Sequence, residues 1–493
     1  MKKFLALVLS LCLVLSLAAC GGKPADDDTG EGSKTGGTIQ VGLNSAPVSM
    51  NIWCQNDLNS ATIMNLVCPN LVAIDDDGNK YDYLTESSEA NEDCTVWTIK
   101  LKELCWNDGT PVTSADLLFT AKYGVEHHIG FFDSYYGLVD FEKSSCPDER
   151  TVEFALTSGN VNFWKGAGNW IPVMRESEWS SVEEPTTYSY SGAGYGPYYV
   201  SEWVDGEYVT LKRNPYFTQA NDGAGACIDE VVFRVYTDEN AMVLALQNGE
   251  VDVCANFLSA SSISQLQSNS NYQIESVGSL GYTLITFSQT NELLQDVNVR
   301  KALAASCDRE ALVNVAMSGA ATPMYTEGKP LSFTITYKGT LANVDGVMSI
   351  LSSDFAKAGV ELKLQPVDAA TFSANVTQGH KYDISYSSWG TIDDVDTTLL
   401  TVFGIGQTLN FMEFNSQEQE DLLNAMQSET DYNKRVELLN QWQTWFVENL
   451  PCCHLFVPNN TYAADTTNFT GWHLSPGNSA FLACANFVNV HAK

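Results

Sequence analysis

Trp97-Thr98-Ile99-Lys100-Leu101-Lys102 and then Trp106-Asn107-Asp108-Gly109-Thr110-Pro111-Val112-Thr113-Ser114-Ala115-Asp116 form the stretch that says most about how this chain folds. From Cys94 to Leu101 large apolar and polar residues alternate, the period of a half-buried strand. Asn107-Asp108-Gly109 follows as a tight turn, because Asp and Gly tolerate positive φ. Thr113 stands three residues before Asp116, a capping box with Asp in the place of Glu or Gln, and predicts a helix through Ala115-Asp116-Leu117-Leu118-Phe119. Strand, turn and helix thus succeed one another within some thirty residues.

The same signals recur outward from this stretch. Gly37 to Leu43 alternates as a strand opening the folded body, and Phe333 to Tyr337 alternates again. Pro215 ends a strand, Leu246 to Asp252 reads as a helix end followed by a strand, and Asp308 caps a helix. Ser416 with Gln419 forms a second capping box before Leu422, Leu423 and Met426. Val436, Leu439, Trp442 and Phe446 recur at helical spacing before Pro451, a core stripe rather than a cofactor site. Tyr382 to Trp389 alternates like a strand and delivers Trp389 into Gly390-Thr391-Ile392-Asp393-Asp394-Val395-Asp396, a loop loaded with carboxylates.

Composition bounds the function. At 493 residues the chain has material for about three domain-sized units, and its 44% hydrophobic, 17% charged composition is that of a globular protein. Sixty acidic against 26 basic residues give a formal charge of −34. Such a field repels phosphate backbones and anionic headgroups, so nucleic acid is excluded as a partner and a cationic or amine-bearing ligand is favoured. Lys2 and Lys3 precede an apolar run from Phe4 to Leu17, the size of a secretory signal core and short for a membrane span. Residues 22–36 are polar and Gly-rich and read as a flexible leash. Of 13 cysteines, Cys12 departs with the signal and Cys20 is set aside for lipid, so eleven remain. That number is odd, no CxxC occurs, and most of these thiols are expected as buried small hydrophobes.

Leu17-Ala18-Ala19-Cys20-Gly21 resembles the lipobox of bacterial lipoproteins, which implies diacylation of Cys20 and tethering at the outer face of the cell membrane. The Trp97–Asp116 stretch resembles the signature of family-5 extracellular solute-binding proteins, the peptide, opine and nickel-binding class of ABC importers. Gly194-Tyr195-Gly196-Pro197-Tyr198, Leu211-Lys212-Arg213-Asn214-Pro215-Tyr216, Ile228-Asp229-Glu230-Val231-Val232-Phe233 and Leu246-Gln247-Asn248-Gly249-Glu250-Val251-Asp252 follow in that family's order. Val299-Arg300-Lys301-Ala302-Leu303 through Asp308-Arg309-Glu310 complete the set. These motif residues identify the scaffold and not the cargo. Little chain separates Gly319 from the strand at Phe333, a connecting segment trimmed relative to the family.

The resemblance implies an α/β, periplasmic-binding-protein-like two-lobed fold of the class C type, with mixed sheets, an extra subdomain in the first lobe and a ligand cleft between lobes. It divides the chain into a signal peptide at 1–19, a lipidated linker at 20–36 and the first lobe at 37–72, with its extra subdomain at 73–190 and a further part at 191–285. The second lobe follows at 286–470, with a return to the first at 471–493. Implied partners are a small solute, foremost a peptide, and the transmembrane subunits of an ABC permease. The protein is expected as a monomer with no cofactor and no metal.

In oligopeptide- and dipeptide-binding members, an aspartate three places after the tryptophan corresponding to Trp389 pairs with the ligand's ammonium group, a contact that burial strengthens. That place is Ile392 here, so Asp393 is expected in the role, with Asp394 and Asp396 in reserve and Gly390 shaping the loop. Where oligopeptide-binding members carry an arginine shortly before the tryptophan, this chain has Tyr386. Asn56, Asp57 and Leu58 stand where relatives offer backbone hydrogen bonds to an extended ligand, and Trp472 stands where they carry an aromatic wall. A nickel chelate, glutathione or an opine are alternative cargoes, and a surface peptide sensor without import is an alternative role. A glycosidase using paired carboxylates lacks support: GxSxG, HExxH and GxxxxGK[ST] are all absent, and only His127-His128 pairs any of the six histidines.

Overall fold

A computed structural model describes residues 36–54, 57–278, 282–308, 311–312, 331–341, 343–389, 395–407, 409–475 and 480–493. Thr38–Leu43 is the strand expected near the start of the body; Ile39, Val41 and Leu43 are fully buried. It lies inside a seven-stranded sheet, in the order Tyr272–Gly278, Asn459–Asp465, Val253–Cys254, Thr38–Leu43, Glu230–Val235, Tyr208–Arg213 and Tyr198–Val204. Its two neighbours run parallel to it and the other pairings are antiparallel. Gly42 is required by a close approach: a Cβ there would meet Met242 Cγ at 2.7 Å, so the helix Glu239–Asn248 packs directly on the strand backbone.

The stretch from Trp97 to Asp116 folds as its sequence dictates. Val96–Leu101 lies within a four-stranded antiparallel sheet with Thr85–Ala90, Thr151–Ala155 and Ser145–Asp148. Gly109 turns the chain with φ +85°. The helix Ser114–Glu126 opens on a reciprocal capping box, with Thr113 N–H donating to Asp116 Oδ2 at 2.8 Å and Asp116 N–H to Thr113 Oγ1 at 3.3 Å. Arg175 locks the turn from outside by donating to Asp108 and Thr110 and lying 5.5 Å over the Trp106 ring. Hydrogen bonds from Thr110, reinforced by Arg175, hold the Asp108 carboxyl down at about 2. The apolar faces of this subdomain and of the seven-stranded sheet share one core, running from Ile39 and Val41 to Trp97, Ile99 and Leu101.

A third sheet has the order Val360–Val367, Leu331–Lys338, Ile384–Trp389, Tyr282–Phe287 and Cys452–Phe456, the first three parallel and the rest antiparallel. One face carries a core around Phe333, Ile335, Tyr337, Ile384 and Tyr386; the other carries one around Leu284, Tyr382, Phe403, Phe411, Trp442 and Phe446. The expected helices Gln417–Ser428 and Tyr432–Asn449 cover this second face. Ser416 caps Gln419 N–H, but the Gln419 side chain donates to Phe403 O instead of closing the box. Val436, expected in the core stripe, is 37% exposed, and the adjacent Trp445 is buried beside Trp442 and Phe446 instead. Arg300, buried at 2% exposure, donates to Leu450 O at 3.0 Å, Leu294 O at 2.7 Å and Gln295 O at 2.8 Å, and to Asn449 O. It thereby ties the helix Val297–Ser306 to the end of Tyr432–Asn449.

The chain passes between the large and the third sheet twice, between Gly278 and Tyr282 and between Phe456 and Asn459. The trimmed segment after Gly319 falls outside the described residues. The cysteines at 54, 68, 94, 105, 146, 227, 254, 307, 452, 453 and 484 are not joined in disulfides, and eight of these eleven are buried. No described helix is long and apolar enough to cross a membrane.

Replacing Arg300 with Met leaves several buried carbonyls without donors, and urea denaturation is expected to register a loss of about 3 kcal/mol or more. Burial pushes the thiols of Cys68, Cys254 and Cys484 from 9.0 up to about 12. A folded pKa above the unfolded one gives stability that is complete below pH 9 and is lost as pH rises toward 12. Denaturation midpoints are therefore expected to fall through that window, and a thiol reagent at pH 8 is expected to spare these three cysteines until the protein is unfolded.

Candidate functional site

In open α/β sheets the crevice beyond the carboxyl ends of the parallel strands is where ligands bind. Both large sheets of this protein turn those ends toward the same place. In the seven-stranded sheet Tyr272–Gly278 runs in the direction of Thr38–Leu43, so Gly278 ends at the carboxyl edge, paired with Asn459. In the five-stranded sheet Tyr282 is paired with Trp389, the carboxyl end of a parallel strand, and Thr283 with Phe456. The two crossings therefore lie side by side, clamped by strand pairing on each side, with the carboxyl ends of both sheets facing them. A cleft at a two-stranded hinge follows from this topology.

On the side of the seven-stranded sheet, buried amides fix the loops that follow the strands. Asn44 N–H donates to Asn256 Oδ1 at 2.9 Å, Asn256 Nδ2 to Asn59 Oδ1 at 2.8 Å, and Asn59 Nδ2 to Ser45 O at 2.8 Å. Asp57 and Leu58 are thereby held at the carboxyl edge. The Asp57 carboxylate caps the helix Leu58–Val67, accepting Ser60 N–H at 2.9 Å, and also accepts Val48 N–H at 3.4 Å. Leu58 is the first helical residue, its carbonyl accepting the Thr62 hydroxyl at 2.8 Å. Asn56 lies outside the described residues. Val48, Phe257 and Val457 belong to segments at this edge and at the hinge, and are 63%, 39% and 60% exposed.

On the other side, Trp389 ends the strand Ile384–Trp389 next to the hinge, its ring stacked on Phe411 at 6.1 Å. Its Nε1 is buried and meets no hydrogen-bond partner among the described residues. Tyr386 is a correction. Three residues before Trp389 on a strand, it points to the opposite face, where it is 5% exposed in the core with Tyr337 and Ile285. Burial raises its hydroxyl pKa, and it does not stand where a cleft side chain would. Gly390, Asp393 and Asp394 lie outside the described residues; Asp396 is on the helix Val395–Phe403, but its side chain is not among those described.

Trp472 is the second correction. Strand Asn459–Asp465 starts at the hinge and runs away from it, so the chain beyond Asp465 reaches the far edge of the sheet. There Trp472 is 6% exposed and packs on Phe481 and Phe487 at 6.0 and 6.3 Å. The return connector Phe456-Val457-Pro458 occupies the hinge instead. Its sequence signal was a proline between two alternating runs, and strand pairing was needed to place it. Among the described residues no cluster of His, Cys, Asp and Glu could hold a metal ion.

Residues 81–332 match the family described as bacterial extracellular solute-binding proteins, family 5 Middle. The chain belongs to that family. Family-5 membership places it among solute-binding proteins rather than enzymes. It is 24% identical to the oligopeptide-binding protein AppA of Bacillus subtilis, covering 96% of this chain and 97% of that one. The solved structure of that AppA with a nonapeptide superposes with a TM-score of 0.80 at 20% identity, covering 94% of this chain and 100% of the other. NikZ of Campylobacter jejuni, solved with Ni(L-His), superposes with a TM-score of 0.78 at 19% identity, covering 92% and 99%. At these identities the structural likeness speaks for the two-lobed family-5 fold alone.

Asp57→Ala is expected to cost about 1 kcal/mol of stability in chemical denaturation, and Asp57→Asn to recover most of it, as for an N-cap. Trp472→Ala is expected to cost about 3–5 kcal/mol as a core truncation, with the ranking of bound solutes unchanged in calorimetry.

Proposed function

We propose that this protein is the solute-capturing component of an ABC importer, that it takes a peptide between its two lobes by closure about the paired connectors, and that it hands the peptide to a membrane permease. The observation that carries this reading is the convergence of both sheets' carboxyl edges on one hinge, in a chain related over nearly its whole length to an oligopeptide-binding protein. A peptide suits the exposed apolar side chains at the edge of the first lobe, because enclosure removes them from water at roughly 25 cal/mol per Å². The carboxylates of Asp393, Asp394 and Asp396, following directly on Trp389, are assigned the ligand's ammonium group.

The lipobox assigns Cys20 as the diacylated first mature residue, with residues 20–36 as a tether that holds a monomer on the outer side of the membrane. The first lobe comprises three stretches separated by the subdomain and the second lobe.

Native mass spectrometry of protein from its own cells is expected to reveal co-purified peptides, and calorimetry to give at least tenfold weaker binding of N-acetylated than of free peptides, the scale of one charged contact. Equal affinity for both forms removes the aspartate assignment, and exclusive binding of Ni(L-His) removes the peptide reading. Cys20→Ser is expected to release the protein into the soluble fraction.

A further inference from the structure

Lys338 is an anomaly in a chain with 60 acidic and 26 basic residues. It is the last residue of the parallel strand Leu331–Lys338, at the edge that faces the hinge. Tyr337 points into one core of this sheet, so Lys338 points to the other face, where its ammonium lies 5.3 Å over the ring of Phe372. The group is half-buried, forms no ion pair with any described residue, and has its pKa lowered by burial alone.

The register Tyr337↔Tyr386 places Ser387 level with Lys338 on the adjoining strand and on the same face, with Trp389 two residues nearer the hinge on that face. Ser387 Oγ and Trp389 Nε1 are both buried without a partner among the described residues. So is Oγ1 of Thr398, on the helix Val395–Phe403 packed over this face. An ammonium and an indole N–H can only donate, and hydroxyls can donate. Buried polar atoms left unpaired are strongly disfavoured, so donors gathered at the hinge-side end of this sheet face call for an acceptor from outside. A carboxylate, with two oxygens and room for about four hydrogen bonds, is the acceptor that answers a cation and several neutral donors together.

We propose that Lys338, Ser387 and the indole N–H of Trp389 form a subsite in the second lobe that receives a carboxylate of the bound solute. This rests on the reading that the cleft binds a peptide. It gives the solute two poles: an amine toward the acidic segment after Trp389, and a carboxylate toward Lys338. The carboxylate comes from the peptide's C-terminus or from an acidic side chain.

The test uses alanine–glycine peptides of two to nine residues, each with a free and an amidated C-terminus, and the same set with one internal Glu. Binding is measured by calorimetry on the full mature protein. Wild type is expected to bind at least one carboxylate-bearing form about tenfold or more tighter than its uncharged counterpart. Preference for the free C-terminus assigns the α-carboxylate, and preference for the Glu peptides assigns the side chain. Lys338→Met is expected to reduce that ratio to about twofold or less, and Lys338→Arg to keep most of it. Lys338→Gln, closer in shape and able to donate, serves as a second variant if Met disturbs folding, with thermal melting as the check.

Equal binding of acid, amide and Glu forms by wild type overturns the subsite while leaving the peptide reading intact. A ratio unchanged in both Lys338→Met and Lys338→Gln also overturns it, as does an Asp393→Asn or Asp394→Asn variant that abolishes the ratio while Lys338→Met does not. Failure of every peptide in the set to bind overturns the peptide reading and this subsite with it.

Discussion

Everything the cleft can do depends on two short connectors clamped by β pairing at both ends. Gly278 is paired with Asn459 on one side and Thr283 with Phe456 on the other. Buried backbone donors and acceptors must stay paired, so neither sheet can flex cheaply up to its last pair. The strand pairing of one sheet ends at Gly278 and Asn459 and that of the other begins at Tyr282 and Phe456, and Pro458 on the return crossing has its own φ fixed by its ring. Antiparallel strand pairs that meet side by side at the crossings permit rotation about a common axis far more readily than sliding or twisting. Opening and closing are what remain, with the residues at both carboxyl edges carried toward or away from each other.

A hinge is useful only if what it swings is rigid, and the loops at each edge are held by buried polar groups rather than by apolar packing alone. Asn44, Asn256 and Asn59 do this beside the seven-stranded sheet. At the end of the second-lobe sheet away from the hinge, Asp383 accepts from Asn291 Nδ2 at 2.8 Å and from Thr334 N–H at 2.9 Å, joining three segments through one carboxylate and stiffening the body that the hinge swings. Directional bonds fix loop positions that apolar contact would leave free to slip, and removing one partner strands the other. The lobes also touch away from the hinge: the helix Val395–Phe403 lies against Phe132–Tyr136, and Val161 N–H donates to Gln427 O at 3.4 Å. The extra subdomain thus supplies a surface on which the second lobe comes to rest.

What could be read from the sequence was what the chain encodes locally. The Thr113–Asp116 capping box, the turn at Gly109 and the alternation of Thr38–Leu43 depend on residues within one or two turns of each other, and the structure contains each of them. The family blocks were equally legible, and all of them fall within residues 81–332, the span that matches the family. The candidate site was less so. Tyr386 and Trp389 were grouped by proximity in sequence, yet three residues along a strand separates faces, and only the core assignment shows which face is which. Trp472 was matched to the aromatic wall of relatives, while its position follows from the direction of Asn459–Asp465 in a sheet whose neighbours come from residues 253–254 and 272–278. The crossings between the sheets are defined by strand partners from distant segments, which composition does not reveal. Lys338 had no local signal at all, since its meaning depends on a partner strand some fifty residues away.

The net charge of −34 and a donor-rich corner of the cleft act over different distances. At physiological salt, interactions between exposed charges fade beyond about 8 Å. Carboxylates such as those of Asp75 and Asp93, held in solvent-facing turns, therefore shape the approach of a solute and little else. Inside the cleft water is displaced as the lobes meet, the effective dielectric drops, and the same unit charges interact several times more strongly. The surface field favours the approach of cationic and zwitterionic molecules over anions. Retention is decided afterwards by the few desolvated groups at the carboxyl edges. On the two-pole arrangement we propose, a zwitterionic solute satisfies both stages: it is not repelled on the way in, and its separated charges have opposite partners once enclosed, whereas a simple anion fails the first stage and a simple amine leaves the donors of the second lobe unanswered.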